Sequence, residues 1–134
     1  MLKHDPYIFT LPMKVRDYEV DAEGIVNNAN YLHYMEHTRH EYCDSLGFSF
    51  RDMHARGIFP VLSRVTIEYR QPLGLGQEFI SRLNLSRRGP VFVFQQGIFT
   101  TDGQVVAMAD VEVATLENGR LTRGDVLAEA FNIQ

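Results

Sequence analysis

ANYLHYMEHTRHEYCDSL, residues 29–46, is the one long stretch of this chain whose apolar residues return at the period of an α-helix. At about 100° per residue, Tyr31, Leu32, Met35, Tyr42, Cys43 and Leu46 fall on one side. Gly47 stands just past the end, where helices commonly stop. On either side of this segment the period changes to two. Upstream, Tyr7 to Val20 reads as extended, with Phe9, Leu11, Met13 and Val15 alternating with polar or small residues. Downstream, beyond an irregular stretch from Phe48 to Phe59, four strands are predicted: Val61 to Tyr69, Glu78 to Ser86, Val91 to Thr100 and Val105 to Leu116. PLGLGQ, RRGP and TDGQ separate them, and TDGQ carries the Asp-Gly signal of a tight hairpin. ENGR ends the last strand, and Asp125 to Phe131 is predicted as a short terminal helix.

One strand, one long helix and four further strands make an α+β domain. The helix must bury its apolar side, and the concave face of a curved antiparallel sheet is the available partner. The other face and the edge strands then need covering, which a homodimer does economically. A chain of 134 residues holds one sizeable core, so residues 1–134 are expected to form a single domain.

Bulk composition narrows the function. The chain is 45% hydrophobic and 22% charged with a formal net charge of −4, the profile of a soluble globular protein. Its acidic balance argues against a nucleic-acid partner, which would call for a basic face. No apolar run approaches the roughly 18 residues of a membrane span, and MLKHDPYIF is not a secretory signal. The single cysteine, Cys43, has no internal disulfide partner, and a cytoplasmic location is expected.

The segment before the helix, DAEGIVNN (residues 21–28), carries the chemistry. An aspartate ahead of a helix is commonly a cap or a turn former, but Asp21 lies too early to cap a helix starting near Asn28. The two asparagines can cap it themselves. A carboxylate is thus left beside unpaired helix N–H groups and the positive end of the dipole, where a developing oxyanion is stabilised. Gly24 allows a tight turn or the close approach of a ligand. Thioester hydrolysis suits these parts. A thiol with an unperturbed pKa of about 8.5 leaves readily as thiolate, so no strong general acid is needed. One carboxylate and an oxyanion hole then replace a Ser-His-Asp triad, Asp21 serving as nucleophile or general base.

DAEGIVNNANYLHYMEHTRHE resembles the signature of hotdog-fold acyl-thioesterases of the 4-hydroxybenzoyl-CoA thioesterase type. Tyr31, Glu36 and Arg39 hold that signature's helix positions. VRDYEVDAEGIVNNANY is also similar to the small plant acyl-lipid thioesterases that act on acyl carrier protein thioesters. SRVTIEYRQPLGLGQ resembles the next strand and turn, with Tyr69 and Pro72 in place. The resemblance covers about residues 12 to 125. It implies a long central helix wrapped by a curved antiparallel sheet of about five strands, in a homodimer or homotetramer with sites at the dimer interface. It further implies Asp21 as the catalytic carboxylate, the Asn28 N–H as oxyanion donor and Gly24 in the substrate-binding turn. No metal or cofactor is implied. The substrate would be an acyl-CoA or acyl carrier protein thioester.

Other residues carry alternatives. Arg39 falls within the apolar side of the helix and needs a partner, for which Glu36 is the nearest candidate; an orienting role is favoured over substrate contact. His33, His37 and His40 share a face at a spacing zinc could use, but opposite the apolar side they read as a solvated face. Cys43 reads as packing. Arg87 and Arg88 suit CoA phosphates or the acidic surface of a carrier protein, or simply a charged hairpin end. Tyr31, Met35, Phe59 and Val91 to Phe94 are core by default, with Tyr31 also a candidate to line the acyl site. A hotdog dehydratase would need a carboxylate-histidine pair, and no histidine stands at the helix start. A non-catalytic acyl-CoA-binding module would keep the pocket without needing Asp21. A ligand-free scaffold would need neither.

Overall fold

The computed structural model describes Leu2, His4 and residues 6–134. Strand β1 (Phe9–Lys14) leads through a 3-10 turn (Asp17–Glu19) and a loop into helix α1 (Asn28–Ser45). A short helix α2 (Phe50–Ala55) precedes β2 (Ile58–Tyr69), β3 (Glu78–Arg88), β4 (Val91–Thr100) and β5 (Val105–Glu117). A three-residue β6 (Arg120–Thr122) pairs with the end of β5, and α3 (Asp125–Phe131) closes the chain.

The sheet runs β1-β3-β4-β5-β2, and each neighbouring pair is antiparallel. β2 follows α1 in sequence yet sits at the far edge from β1, so the helix crosses the sheet to get there. Core-facing residues alternate along β3 and β4. Phe79, Leu83, Phe92 and Ile98 are completely buried beneath α1 and α3. Two polar ties fix the helix on this apolar bed. Thr38 Oγ1 meets Ser81 Oγ of β3 at 2.6 Å, and Gln96 Nε2 of β4 donates to the Met35 carbonyl at 2.9 Å. Each polar group is satisfied in the interior, so the ties cost little and set the helix's rotation.

That rotation corrects the expected buried face. Tyr31, Met35, Tyr42 and Cys43 are buried as expected, but Tyr34 and Thr38 join them, while Leu32 and Leu46 remain 38% and 40% exposed. Thr38–Ser81 and a hydrogen bond from Tyr34 to Glu19 turn the helix toward its Tyr34 side. Apolar spacing alone is blind to such bonds.

Other boundaries differ in ways local chemistry explains. The extended segment ends at Lys14, and the 3-10 turn follows where Arg16 N donates to Glu19 Oε1 at 2.7 Å. The stretch read as irregular contains α2, capped by Ser49, whose Oγ accepts from Asp52 N at 3.1 Å. Three residues later β2 begins, ahead of the predicted Val61.

Candidate active site

The loop before α1 is a closed turn. Asp21 N donates to Ile25 O at 2.9 Å, Gly24 N donates to Asp21 O at 3.0 Å, and Val20 bridges Val26. Gly24 sits at φ 80, a left-handed backbone that an L side chain resists. The bridge pins both legs of the turn, so Asp21 and Asn28 are held at the same end of the helix. A second layer of bonds locks it to the turn after β2. Ile25 bridges Gly74, Val26 N donates to Leu73 O, and Leu73 N donates to the Tyr31 hydroxyl at 3.1 Å.

Asn27, the residue before the helix, is its cap, accepting from Ala29 N at 3.0 Å through Oδ1. Asp21 does not cap. One carboxylate oxygen accepts from Glu23 N at 2.9 Å; the other has no protein partner among the described residues. The Asn28 N–H is likewise without an acceptor among them. Asp21, Gly24 and Asn28 are all exposed. A carboxylate oxygen and a helix N–H, both without a protein partner among the described residues, thus belong to the same loop and helix start.

An open hollow of about 240 Å³ adjoins Asn28, lined by Tyr31, Tyr69, Arg70 and Pro72 among others. Tyr31 is nearly enclosed, its ring edge-on to Tyr34 and Tyr69, and burial raises its phenol pKa. Sequence reasoning assigned no role to Tyr69 or Arg70. Tyr69 donates to the Asn28 carbonyl at 3.2 Å, and Arg70 brings a cation to the hollow. The resemblance marked Tyr69 as a family position without giving it a task; its place beside the helix start is set by the fold.

Arg87 and Arg88 lie elsewhere in the protomer. They end β3, whose 11 residues place them about 30 Å from the turn that holds Asp21. Arg87 donates to Gly89 O, Arg123 O and Asp125 Oδ1 and stacks on Phe92, tying α3 to the sheet. Arg88 pairs with Glu112. Arg39 donates to Gln96 Oε1 at 2.9 Å, and no hydrogen bond or ion pair joins it to Glu36. The expected partner is thus replaced by a neutral amide from β4. Burial lowers the Arg39 pKa, and the Glu36 charge offsets part of that. His33 contacts Asn30, His37 lies 3.8 Å from Glu41, and His40 packs against Phe50. Cys43 is buried, and burial pushes its thiol up to about 12.

The family pattern of the thioesterase-like superfamily matches residues 15–129, from the end of β1 into α3. The chain belongs to this superfamily. Among relatives of the thioesterase-like chain, one from Aquifex aeolicus is 34% identical over 117 residues, covering 87% of this chain and 89% of its own. The crystal structure of a hypothetical protein from Aquifex aeolicus superposes with a TM-score of 0.86 at 32% identity, covering 92% of this chain and 99% of that one. The Arabidopsis thaliana chloroplastic acyl-acyl carrier protein thioesterase ATL2 is 37% identical over 95 residues, 70% of this chain; the chain spans about half that relative's length. A DHNA-CoA thioesterase from Staphylococcus aureus shares the fold at 21% identity, with a TM-score of 0.82. The thioesterase-like chain therefore has the hotdog arrangement, a helix laid in a curled antiparallel sheet. Among its described residues, no helix is long and apolar enough to cross a membrane.

Proposed function

We propose that the protein hydrolyses an acyl thioester of CoA or acyl carrier protein, using Asp21 and the Asn28 N–H. The observation that carries this reading is the unsatisfied Asp21 oxygen at the same helix end as the open Asn28 N–H. The thioester carbonyl oxygen accepts from the Asn28 N–H as negative charge develops on it. In one route Asp21 takes a proton from water, and the resulting hydroxide adds to the carbonyl carbon. In the other, an Asp21 oxygen adds directly, giving a mixed anhydride that water then opens. In both, the C–S bond breaks with its electron pair on sulfur, leaving a thiol and a carboxylic acid. Single-turnover hydrolysis in ¹⁸O water tests the anhydride route: label in the Asp21 side chain establishes an anhydride opened by water at the Asp21 carbonyl carbon, because the general-base route puts label only in the released acid.

The likeness to acyl-acyl carrier protein and acyl-CoA thioesterases supports this substrate class. The site is open to solvent in a single protomer, and a second copy seated on the β2 edge would enclose it. Phe59, Leu62 and Tyr69 are exposed along that edge strand. Arg87 and Arg88 reach a CoA or carrier protein at this site only from a neighbouring protomer in the dimer or tetramer. The enzyme works without a metal or cofactor in the cytoplasm, where the Cys43 thiol stays reduced.

The test is thiol release from a panel of acyl-CoA and acyl carrier protein thioesters, wild type beside Asp21→Asn. Turnover by the wild type with a loss of about 10²-fold or more in the variant supports the reading. A wild type that binds acyl-CoA but releases no thiol establishes a non-catalytic acyl-CoA-binding module instead.

A further inference from the structure

A second cavity, of about 290 Å³, lies between α1, α2 and the sheet, well away from the helix start. Phe50, Phe94, Val113 and Phe131 give it apolar walls, yet Glu36, Arg39, His40 and His54 also line it. Only one of the five Arg39 guanidinium N–H groups has a protein acceptor among the described residues, the bond to Gln96 Oε1. Gln96 is itself anchored by its amide nitrogen to the Met35 carbonyl, and the guanidinium rests 6.0 Å from the Phe94 ring centroid. Arg39 is thus clamped in place with most of its donors unused. Glu36, exposed at the cavity mouth, has no hydrogen-bond partner among the described residues.

This cavity extends along α1 toward the candidate active site. A smaller cavity of about 100 Å³ shares Glu36, Arg39 and Leu62 with it and continues along α1 to Leu32. Leu32 is the next residue after Tyr31, which lines the hollow at Asn28. The three hollows lie in series on the β2 side of α1, with Tyr69, Val65 and Leu62 in descending order along their other wall. From Asn28 to Arg39 the helix rises about 16 Å, a length that an extended chain of roughly a dozen carbons covers.

We propose that this cavity receives the far end of the substrate's acyl chain, and that Arg39 selects chains bearing a hydroxyl there. The proposal rests on the thioesterase reading and specifies its substrate. A methyl end offers the unused Arg39 donors no acceptor. A carboxylate end satisfies Arg39 but meets the Glu36 charge on the same wall. A hydroxyl end accepts from Arg39 and donates to Glu36, pairing both groups at once.

The test compares kcat/KM for dodecanoyl, ω-hydroxydodecanoyl and dodecanedioyl thioesters, each offered on CoA and on acyl carrier protein. In the wild type the hydroxylated chain is expected to exceed the other two by about 10-fold or more, since a site built to bond a hydroxyl rejects the analogue lacking it. In Arg39→Met the ratio of hydroxylated to plain chain falls toward one. A wild type that prefers the plain or dicarboxylic chain overturns the proposal even if Arg39→Met fails to fold. So does a hydroxyl preference that persists in a folded Arg39→Met. Both outcomes leave the thioesterase reading standing, whereas absence of thiol release from every thioester, short chains included, removes that reading and this proposal together.

Discussion

Tyr34 donates its hydroxyl to Glu19 Oε1 across 2.9 Å in the interior, joining the 3-10 turn to the second turn of α1. The Glu19 main chain extends the same link. Its carbonyl accepts from Asn27 N at 3.2 Å and from the Asn30 side-chain amide at 2.8 Å. Burial, and then the Glu19 carboxylate, raise the Tyr34 pKa, so the phenol remains a donor throughout the working range. One buried acidic residue thus holds the loop that carries Asp21 against the helix that carries Asn28.

Removing that link is expected to loosen the site and the fold together. Glu19→Ala leaves the Tyr34 hydroxyl unpaired and costs about 2–3 kcal/mol; Tyr34→Phe costs about 1 kcal/mol. The double variant is less destabilised than the sum of the two by about 1 kcal/mol or more. Urea unfolding of the four proteins in the cycle measures it, and simple additivity would show that the contact is unimportant.

Two neighbours in the opening loop are expected to separate stability from chemistry. Asn27→Ala removes the cap of α1 and costs about 1 kcal/mol. Asp21→Asn touches only an exposed turn and changes stability by less than about 0.5 kcal/mol. Thiol release should fall about 10²-fold or more for Asp21→Asn. An active Asp21→Asn enzyme would remove this carboxylate from the mechanism.

Two glycines with nearly the same backbone are expected to differ. Gly124 and Gly24 have φ 76 and φ 80. A Cβ at Gly124 would meet Phe92 and Thr115 Oγ1, each at 2.7 Å, whereas one at Gly24 meets nothing within 4 Å. Gly24→Ala should cost about 1 kcal/mol, the backbone term alone, and Gly124→Ala about 2 kcal/mol or more. Thermal melts of the two variants compare them directly.

The β2 edge offers a test of assembly. Leu62 is 59% exposed in the protomer, on the strand that ends the sheet. Light scattering is expected to give a dimer or tetramer for the wild type and a monomer for Leu62→Lys, with thiol release lost as well. A wild type that is monomeric and active overturns the shared-site reading.

Alkaline pH should destabilise the fold. Burial raises the Cys43 thiol from 9.0 to about 12, and burial likewise raises Tyr7 from 10.0 to about 12. In this window the unfolded chain releases protons that the folded chain keeps. The stability present below about pH 9 is therefore lost progressively as pH rises toward about 12. Urea midpoints at intervals from about pH 8 to pH 11 should show a loss of about 1–3 kcal/mol. A flat profile would mean that these groups are solvated in the folded protein.

Much of the fold was legible in the residue order because it rests on local periodicity. α1 lies within one residue of its predicted span at each end, β4 matches its predicted span, and α3 spans the predicted residues. The α2 helix was not read, although Ser49 and Asp52 form a recognisable cap, because six residues are too few to show a period. In the candidate site, Asp21 and Gly24 stood out because turn and helix-start chemistry is written in neighbouring residues, whereas Asn28 as the donor came only from the resemblance to hotdog thioesterases.

What the sequence determined by itself was therefore the longer elements with α3, their order and the loop that opens α1, all products of short-range stereochemistry and hydrophobic period. Tertiary structure decided which face of α1 is buried, that Gln96 and not Glu36 holds Arg39, and that Tyr69 and Arg70 stand beside Asn28. It also set Arg87 and Arg88 at the far end of β3 from Asp21. These are contacts between residues up to 61 positions apart in the chain. They depend on strand register and helix rotation, which follow from the packing of the whole core and have no local signature.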